Sequence, residues 1–580
     1  MQRKLFLAIL LLIAAGLAIR NAMPAHSHPA AIGVAGVALT VATPQALYSQ
    51  GGRNDGRDVD IYPAIAYAPT TDRYLAIWLS AQNAGSAEDG LDLYGRFLDG
   101  AGQPNGNAFR ISDRNTVARN GSPVLVPLGD GFLVVWTARG TRCQLSMQYV
   151  TDSSAKTDQT LSSGSTHHHS PALAVDPSTQ QATVAFVSGD DYLPPTMMGA
   201  ATGDCGDQVG STAQIGVKTI HLTGSTPSVG QTLTVSTGSG GTFRPSIAFA
   251  EATSRYLVGW EDRRDGAGQP YRFDLYAQEL AAAGTDPTVL TTVGNNVALA
   301  TGGDYTNLNT SAHWTPRPAL AAGESNFLVT WFARDPASSF AKWQVVGRLV
   351  TSSTAVGAPV TLMQMLYTQP HPGDAPQGYL RTVYVPTLDE FLVGMTVHLE
   401  TFFGYFSSVQ VQRVQLNGDL LTLAGEPQAV AGNGAAVDYA LETQLALGMA
   451  VRTAGPSSAA DVAVVYGKHA AGGGLQDFDI WGVRLAGSAA STTTTTPTGT
   501  ATAAATPFPT GSNTPTFTPT VTTTELPLAT NSATPTVTST GSQQPTVTPS
   551  PTPTLSATPT VTGKATEVSR QLYLPFVHGP

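Results

Sequence analysis

The sequence is poor in cysteine and in charge. It has 2 cysteines in 580 residues, too few for a fold built from disulfides. Only 12% of its residues are Asp, Glu, Lys or Arg, about half the usual fraction, which excludes a long coiled coil or a helical array. Acidic residues outnumber basic ones by 40 to 30, so the chain lacks the basic excess typical of nucleic-acid binding.

The short motifs of several enzyme classes are also absent. The sequence contains no P-loop, dinucleotide fingerprint, His-Glu-x-x-His motif or nucleophile elbow. We therefore expect no cofactor. One segment, Asn54 to Asp60, offers oxygen donors for Ca²⁺, but it lacks EF-hand spacing and a closing Glu, so it is a weak calcium candidate.

The N-terminus has the pattern of an export signal. Two basic residues, Arg3 and Lys4, precede an apolar run from Leu5 to Ile19, which is typical of a secretory leader. We assign residues 1–30 to the signal and expect cleavage between Ala22 and Ala46. The alternative is an uncleaved membrane anchor, and this segment would then be the one membrane contact. Either reading predicts an extracellular or cell-surface protein.

The C-terminal part is of low complexity. Between Thr492 and Thr562 there are 29 Thr and 12 Pro, too little apolar surface to offset the entropy of ordering. Such composition favours extended polyproline-II segments, so we expect a disordered Thr/Pro stalk over residues 488–568. A short apolar motif, residues 569–580, follows it. Leu572 to Val577 resembles the "YLP" type ending of exported proteins in some filamentous bacteria.

Residues 43–487 repeat. Each unit has an apolar strand that starts near a Pro, a short polar turn, and a second strand that ends on a large side chain. Strands of this kind follow from the two-residue period of β-branched and aromatic residues. The large side chains that end the second strands are Trp78, Trp136, Phe186, Trp260, Trp331, Met395 and Tyr466.

Third and fourth strands complete the unit. Asp92 to Leu98 recurs as Asp274 to Leu280 and as Asp479 to Leu485. Seven units of four short strands predict an all-β fold, a seven-bladed β-propeller, within a range of six to eight blades. The last unit ends at its third strand, so we predict that Pro44 to Gln50 supplies its outer strand and closes the ring.

The repeat resembles secreted bacterial seven-bladed propellers whose blades read roughly Pro-x-apolar, then Tyr-Leu-Val-x-Trp-x-Asp, then Asp-Ile-Tyr-Gly. The fit is best at Trp78, Trp260 and Trp331. No single activity belongs to that group, so the resemblance implies fold and export alone.

Long connections mark the working side of the propeller. The connections between second and third strands, and from each fourth strand to the next blade, are long, and they share one face. We call this the long-loop face, and expect binding there. Arg244, Arg317 and Arg381 each precede a first strand and would ring part of the channel mouth, where guanidiniums could capture an anion. The alternative is blade-to-blade hydrogen bonding. Arginine clusters also occur in sialidases, but their Ser-x-Asp-x-Gly-x-Thr-Trp repeat is absent here.

Three further groups are candidates for chemistry. Glu261 and Asp262 could act as an acid–base pair on a glycosidic bond, or could be a solvated turn with internal ion pairs. His167 and His169, with His168 between them, are weak metal candidates, since a site would need further ligands such as His313 or His371. Cys143 and Cys205 could form a disulfide after export.

Three functions remain open from the sequence. The first is an exported, non-catalytic propeller, a monomer, that binds a protein or glycan at the cell surface through the long-loop face. The second is a carbohydrate-active enzyme, a hydrolase or lyase, that uses the carboxylates of the same face. The third is a structural component of the envelope.

Overall fold

A computed structural model describes most of the repeated region of the chain. The described residues are 39–49, 60–80, 91–112, 117–118, 123–139, 143–154, 157–162, 165–189, 212–238, 240–264, 274–284, 286–301, 318–334, 343–351, 354–365, 379–401, 404–431, 436–437, 447–454, 459–469 and 478–488. The predicted signal, the Thr/Pro stalk and the C-terminal motif lie outside them.

The described residues form 33 β-strands, and no helix long and apolar enough to cross a membrane occurs among them. The first two strands are β1 (Leu39–Val41) and β2 (Gln45–Tyr48). They do not belong to the sheet of blade one, which follows them in the chain. Blades one to three then contain β3 (Asp60–Ala68), β4 (Arg73–Ser80), β5 (Asp92–Asp99), β6 (Pro104–Arg110); β7 (Val117–Ala118), β8 (Val124–Leu128), β9 (Gly131–Arg139), β10 (Cys143–Val150), β11 (Gln159–Ser162); and β12 (His168–Asp176), β13 (Gln181–Ser188), β14 (Gln214–Thr223), β15 (Thr226–Val229), β16 (Leu233–Thr234). Blades four and five contain β17 (Thr242–Ala250), β18 (Arg255–Asp262), β19 (Asp274–Ala283), β20 (Asp286–Ala300); and β21 (Ala319–Ala322), β22 (Phe327–Arg334), β23 (Trp343–Thr351), β24 (Thr354–Met365). Blades six and seven contain β25 (Leu380–Val385), β26 (Glu390–Thr401), β27 (Gly404–Asn417), β28 (Leu420–Leu423), β29 (Gln428–Ala431), β30 (Ala436–Val437); and β31 (Leu447–Val451), β32 (Ala459–His469), β33 (Phe478–Ser488).

The seven sheets form a closed ring. The inner strands contact one another in the order β3, β8, β12, β17, β21, β25 and β31, and β31 contacts β3 again. Seven clusters of buried apolar residues lie in the described part of the chain, one between each pair of neighbouring blades. The core is therefore divided among the blade interfaces, which confirms the predicted seven-bladed propeller.

The large side chain that ends each second strand has the same place in every blade. Trp78 packs against blade seven, Trp260 against blade three and Trp331 against blade four. The three departures from Trp follow the same rule, since Phe186, Met395 and Tyr466 each contact the preceding blade. Any large apolar side chain can fill the interface, so the weak repeats still form blades.

The inner strands begin earlier than the sequence predicts, because three of them contain a bulge. In blades one, three and four the register shifts at Tyr62-Pro63, at Ser170-Pro171 and at Arg244-Pro245. The residue before each Pro has a positive φ, 55°, 52° and 46° in turn. A proline has no N–H for the ladder, so a bulge is one of the few places where a strand accepts it. These strands were predicted to start near the Pro, and each begins three residues before it.

The N-terminal strands close the ring. β2 pairs with β33, with Gln45 opposite Gly482 and Ala46 opposite Trp481, and Leu47 is fully buried at the interface with blade one. This pairing confirms the predicted outer strand of blade seven. β1 adds a pairing that was not predicted, Leu39 to Val41 against Leu485 to Gly487, so the ring uses residues before the predicted start at 43.

Polar side chains on the third strands tie neighbouring blades together. Each of these side chains lies on the third strand, opposite the residue two positions before the Trp or Phe that ends the second strand. Each donates a hydrogen bond to a backbone carbonyl at or next to the outer strand of the preceding blade. The four bonds are Arg96 to Leu47 (2.5 Å), Gln148 to Ile111 (3.0 Å), Lys218 to Leu161 (3.5 Å) and Arg348 to Leu299 (2.7 Å). Because Leu47 belongs to β2, the closing strand is tied to blade one as the other outer strands are tied to their neighbours.

Candidate functional site

The two ends of the propeller differ in the length of their connections. On one face the turns are short, as between β8 and β9 or between β17 and β18. On the long-loop face, β13 and β14 are separated by residues 189–213, β20 and β21 by 301–318, and β24 and β25 by 366–379. Most of these connecting residues lie outside the described part. What the structure shows of this face is therefore the rim formed by the strand ends.

Arg244 lies on this rim and is held by a carboxylate of its own blade. Its Nη1 donates to Oε2 of Glu261 at 2.9 Å, and the Glu261 side chain is fully buried. The bulge at Arg244 makes this pairing local, because it places the side chain beside the end of β18. The arginine is thus charge-balanced within blade four.

Asp262 is the acceptor of a second, equally buried network. It accepts from Nε1 of Trp260 at 2.8 Å, and from the backbone N–H and Nη2 of Arg264 at 2.8 and 2.6 Å. The Arg264 guanidinium also lies 3.7 Å from the ring centre of Tyr276. Asp262 is fully buried. The described part of the charged run after Trp260 therefore has one internal ion pair, Asp262 with Arg264. The side chains of Glu261 and Asp262 are fully buried rather than solvated.

Arg381 does not occupy the position of Arg244. Arg381 lies inside β25, opposite Gly394, whereas Arg244 lies in a bulge that faces Trp260. The predicted equivalence of their positions is wrong, because blade six has Thr382 where the other blade has a proline, and no bulge forms. Arg381 is half-buried, with its Nη1 3.3 Å from the Leu380 carbonyl. Arg317 lies outside the described residues.

The three consecutive histidines point to three different surroundings. Nδ1 of His167 accepts from the backbone N–H of Cys143 at 3.1 Å, and the ring of His168 packs edge-on against Phe186. His169 is fully buried, with Nδ1 2.9 Å from Oγ of Ser170. Burial, together with the nearby charges of His167 and Arg244, lowers the pKa of His169 to about 3.

No group of three or more His, Cys, Asp or Glu in the described part of the chain could hold a metal ion. His313 and His371 lie outside that part, as do residues 54–59 of the weak calcium segment. Asp60, the last residue of that segment, is fully buried at the start of β3. Cys143 is disulfide-bonded and buried; the other cysteine of the sequence, Cys205, lies outside the described residues.

An aromatic pair on the rim was missed at the sequence level. The rings of Tyr62 in blade one and Tyr379 before blade six are 6.1 Å apart and meet edge to face. Both residues are half-buried. The Tyr379 backbone is fixed to β26, since its N–H donates to Oγ1 of Thr396 at 2.8 Å and its carbonyl accepts from the Thr396 N–H at 3.0 Å.

Among the described residues, the second strand of blade six continues farther toward this face than those of blades five and seven. β26 continues from Met395 to Thr401 and pairs with β27 up to the register of Thr401 and Gly404. In blade four the second strand ends at Asp262, just after Trp260. The short strand β30 pairs with Tyr405 and Phe406 on the outer side of this extension.

Comparisons with known proteins were made for the whole chain. No family model matches it, and no curated protein matches it. Among solved structures it is similar to a Trypanosoma rangeli sialidase (9% identity, 66% of this chain, 56% of that chain, TM-score 0.37) and to a Penicillium chrysogenum alpha-L-arabinanase complexed with arabinobiose (12% identity, 77% of this chain, 98% of that chain, TM-score 0.37). It is also similar to the Hadza microbial sialidase Hz136 (10% identity, 68% of this chain, 73% of that chain, TM-score 0.37). The match thus spans just over half the length of the trypanosome sialidase, and the activities in these names are those of the proteins that bear them.

Proposed function

We propose that the protein is an exported β-propeller that binds a ligand at the cell surface through its long-loop face. The observation that carries the proposal is the asymmetry of the ring: short turns at one end, long connections and a projecting hairpin at the other. Binding residues concentrate on loops that a rigid frame positions. The leader-like N-terminus and the Thr/Pro segment support the location.

Binding is favoured over hydrolysis by the state of the carboxylates. A general acid or nucleophile has to reach the scissile bond of its substrate. Glu261 and Asp262 are both fully buried, and each accepts charge-assisted hydrogen bonds from an arginine of its own blade. Their arrangement supports a structural role, in which they balance Arg244 and Arg264 at the end of β18.

A glycan array combined with a hydrolysis screen on the purified full chain tests this proposal. We expect saturable binding without product release, and the same binding in Glu261→Gln. Turnover that is abolished in Glu261→Gln or in Asp262→Asn would instead establish a carbohydrate-active enzyme. The absence of any bound ligand in arrays of glycans and of envelope proteins would favour the structural envelope role.

A further inference from the structure

We propose that Tyr62 and Tyr379 form an aromatic platform at the channel mouth that binds a sugar ring of an uncharged glycan. This inference rests on the proposed function, since it names the ligand class and the contact residues of the long-loop face. Below, "the platform" means these two side chains.

The position of the platform is the first argument. Blades one and six are not neighbours, because blade seven lies between them in the ring. The inner strand of blade seven, β31, contacts both β3 and β25, so rings that approach to 6.1 Å meet beside that strand. Two adjoining rings offer a small contact area that suits one ring-shaped ligand, whereas a protein partner needs a wider surface.

The backbone at Tyr62 is the second argument. Its φ of 55° is unusual for an aromatic residue. The bulge that imposes this angle lies at the long-loop end of β3, and bulges next to functional sites re-aim side chains. Blades three and four have the same bulge, with Ser170 and Arg244 at the position of positive φ. The bulge is thus common to three blades, whereas the residue at this position differs in each. That variation is expected where a frame is shared and its contact residues differ.

Charge is the third argument, and it selects an uncharged ligand. Arg244, which lies in the bulge of blade four, is balanced by Glu261. Phenol rings offer an apolar face to the C–H face of a sugar. The net charge of −10 for the chain disfavours a polyanion further.

The projecting hairpin of blade six completes the site. Tyr379 is tied to Thr396 at the base of this hairpin. Six residues of β26 follow Met395, against two residues of β18 after Trp260, and the four extra residues extend the hairpin by roughly 13 Å at about 3.3 Å each. Tyr405 lies opposite Glu400, and Phe406 opposite Leu399, on this extension.

Affinity gel electrophoresis of the full chain tests the inference. The probes are three neutral polysaccharides (xylan, mixed-linkage β-glucan and galactomannan) and one acidic polysaccharide, polygalacturonate. We expect at least one neutral gel to retard the wild type. Tyr379→Ala should weaken that binding at least tenfold, whereas Tyr379→Phe, which keeps the ring, should stay within about threefold.

The same strand offers a matched control. Tyr384 lies at the opposite end of β25, where its ring contacts Phe391, so Tyr384→Ala should bind like the wild type. Tyr62→Leu, which alters the other half of the platform, is the second variant, and it decides the test if Tyr379→Ala lowers the melting temperature.

Four results are informative. Loss of binding in both platform variants supports the proposal. If both variants still bind, the platform proposal is overturned, but the proposed function is not. Loss of binding when residues 366–378 are shortened would then still place the binding site on the long-loop face. Retardation by polygalacturonate alone overturns the uncharged ligand in the same way. No binding to any polysaccharide here, or to any ligand of the arrays above, overturns both this inference and the proposed function.

Discussion

Blades four and six share one frame and use its long-loop end in opposite ways. In blade four the end of β18 is closed by its own ion pairs, Arg244 with Glu261 and Arg264 with Asp262. In blade six the corresponding strand runs on as a hairpin, and Tyr379 at its base contacts an aromatic ring from blade one. The charged sequence is thus used for structure, and a blade whose second strand extends beyond the repeat carries the candidate contact surface.

This comparison corrects a common assumption about charged motifs. A run such as Glu261 to Asp265 attracts attention because it holds every group needed for acid–base chemistry. Buried carboxylates that accept from arginines are costly to expose, since separation leaves an unpaired charge in a low dielectric. Positions at which a blade differs from the repeat are the better guide to a binding site here, because the propeller fold is kept while the local structure changes.

The largest effect is expected from opening the ring that holds both blades. Deleting residues 39–48 removes β1 and β2, and with them the buried side chains of Leu39 and Leu47. The loss of two buried leucines alone is worth about 4–10 kcal/mol, so the melting temperature should fall by many degrees. Thr40→Asp, at an exposed position of β1, is the control and should melt like the wild type. An unchanged melting temperature for the deletion would show that the ring closes in another way.

The second effect concerns the closed edge of blade four. Arg244→Ala removes the guanidinium from the buried Glu261 and should cost about 3–5 kcal/mol in urea unfolding. Arg381→Ala, at a half-buried arginine of blade six, should cost less than about 1 kcal/mol. The double variant Arg244→Met with Glu261→Leu should recover most of the loss. If it does not recover, the damage at Arg244 is not an unpaired charge.

The third effect is a pH dependence at the junction of blades three and four. Burial lowers the pKa of His169 from 6.5 to about 3, so the unfolded chain binds a proton that the folded protein excludes. The stability from this group is complete above about pH 6.5 and is lost as the pH falls toward 3, at up to about 1.4 kcal/mol per pH unit. Urea unfolding between pH 7.5 and 5.5 should show this slope, and His169→Asn should reduce it. Equal slopes in both proteins would contradict the account.

The smallest effect separates a hydrogen bond from packing. Nε1 of Trp260 donates to Asp262, whereas Nε1 of Trp331 has no acceptor among the described residues. Both side chains are fully buried at a blade interface. Trp260→Phe should therefore be more destabilising than Trp331→Phe by about 1–2 kcal/mol. Equal losses in thermal or urea unfolding would mean that the bond to Asp262 adds nothing beyond packing.

The sequence predicts the frame well because the frame is periodic. Alternating apolar residues, a Pro and a large terminal side chain recur in seven units, and each signal is local. The closing strand could also be predicted, because blade seven lacks a fourth strand and Pro44 to Gln50 resembles an outer strand.

The site could not be predicted, because its contacts join residues far apart in the chain. Nothing near Tyr62 in the sequence indicates Tyr379. For Arg381 a signal was present but overlooked, because Thr382 stands where the bulged strand of blade four has Pro245. Burial is equally hidden: Glu261 looks like part of an exposed turn in the sequence, but its side chain is fully buried and paired with Arg244.

Hydrogen exchange with and without the retarding polysaccharide tests the contrast between the two blades most directly. The account predicts that the ligand protects amides in Tyr379–Thr401 of blade six and around Tyr62, and leaves Arg255–Arg264 of blade four unchanged. Protection confined to Arg255–Arg264 would contradict it, and would return the working site to the carboxylates of blade four.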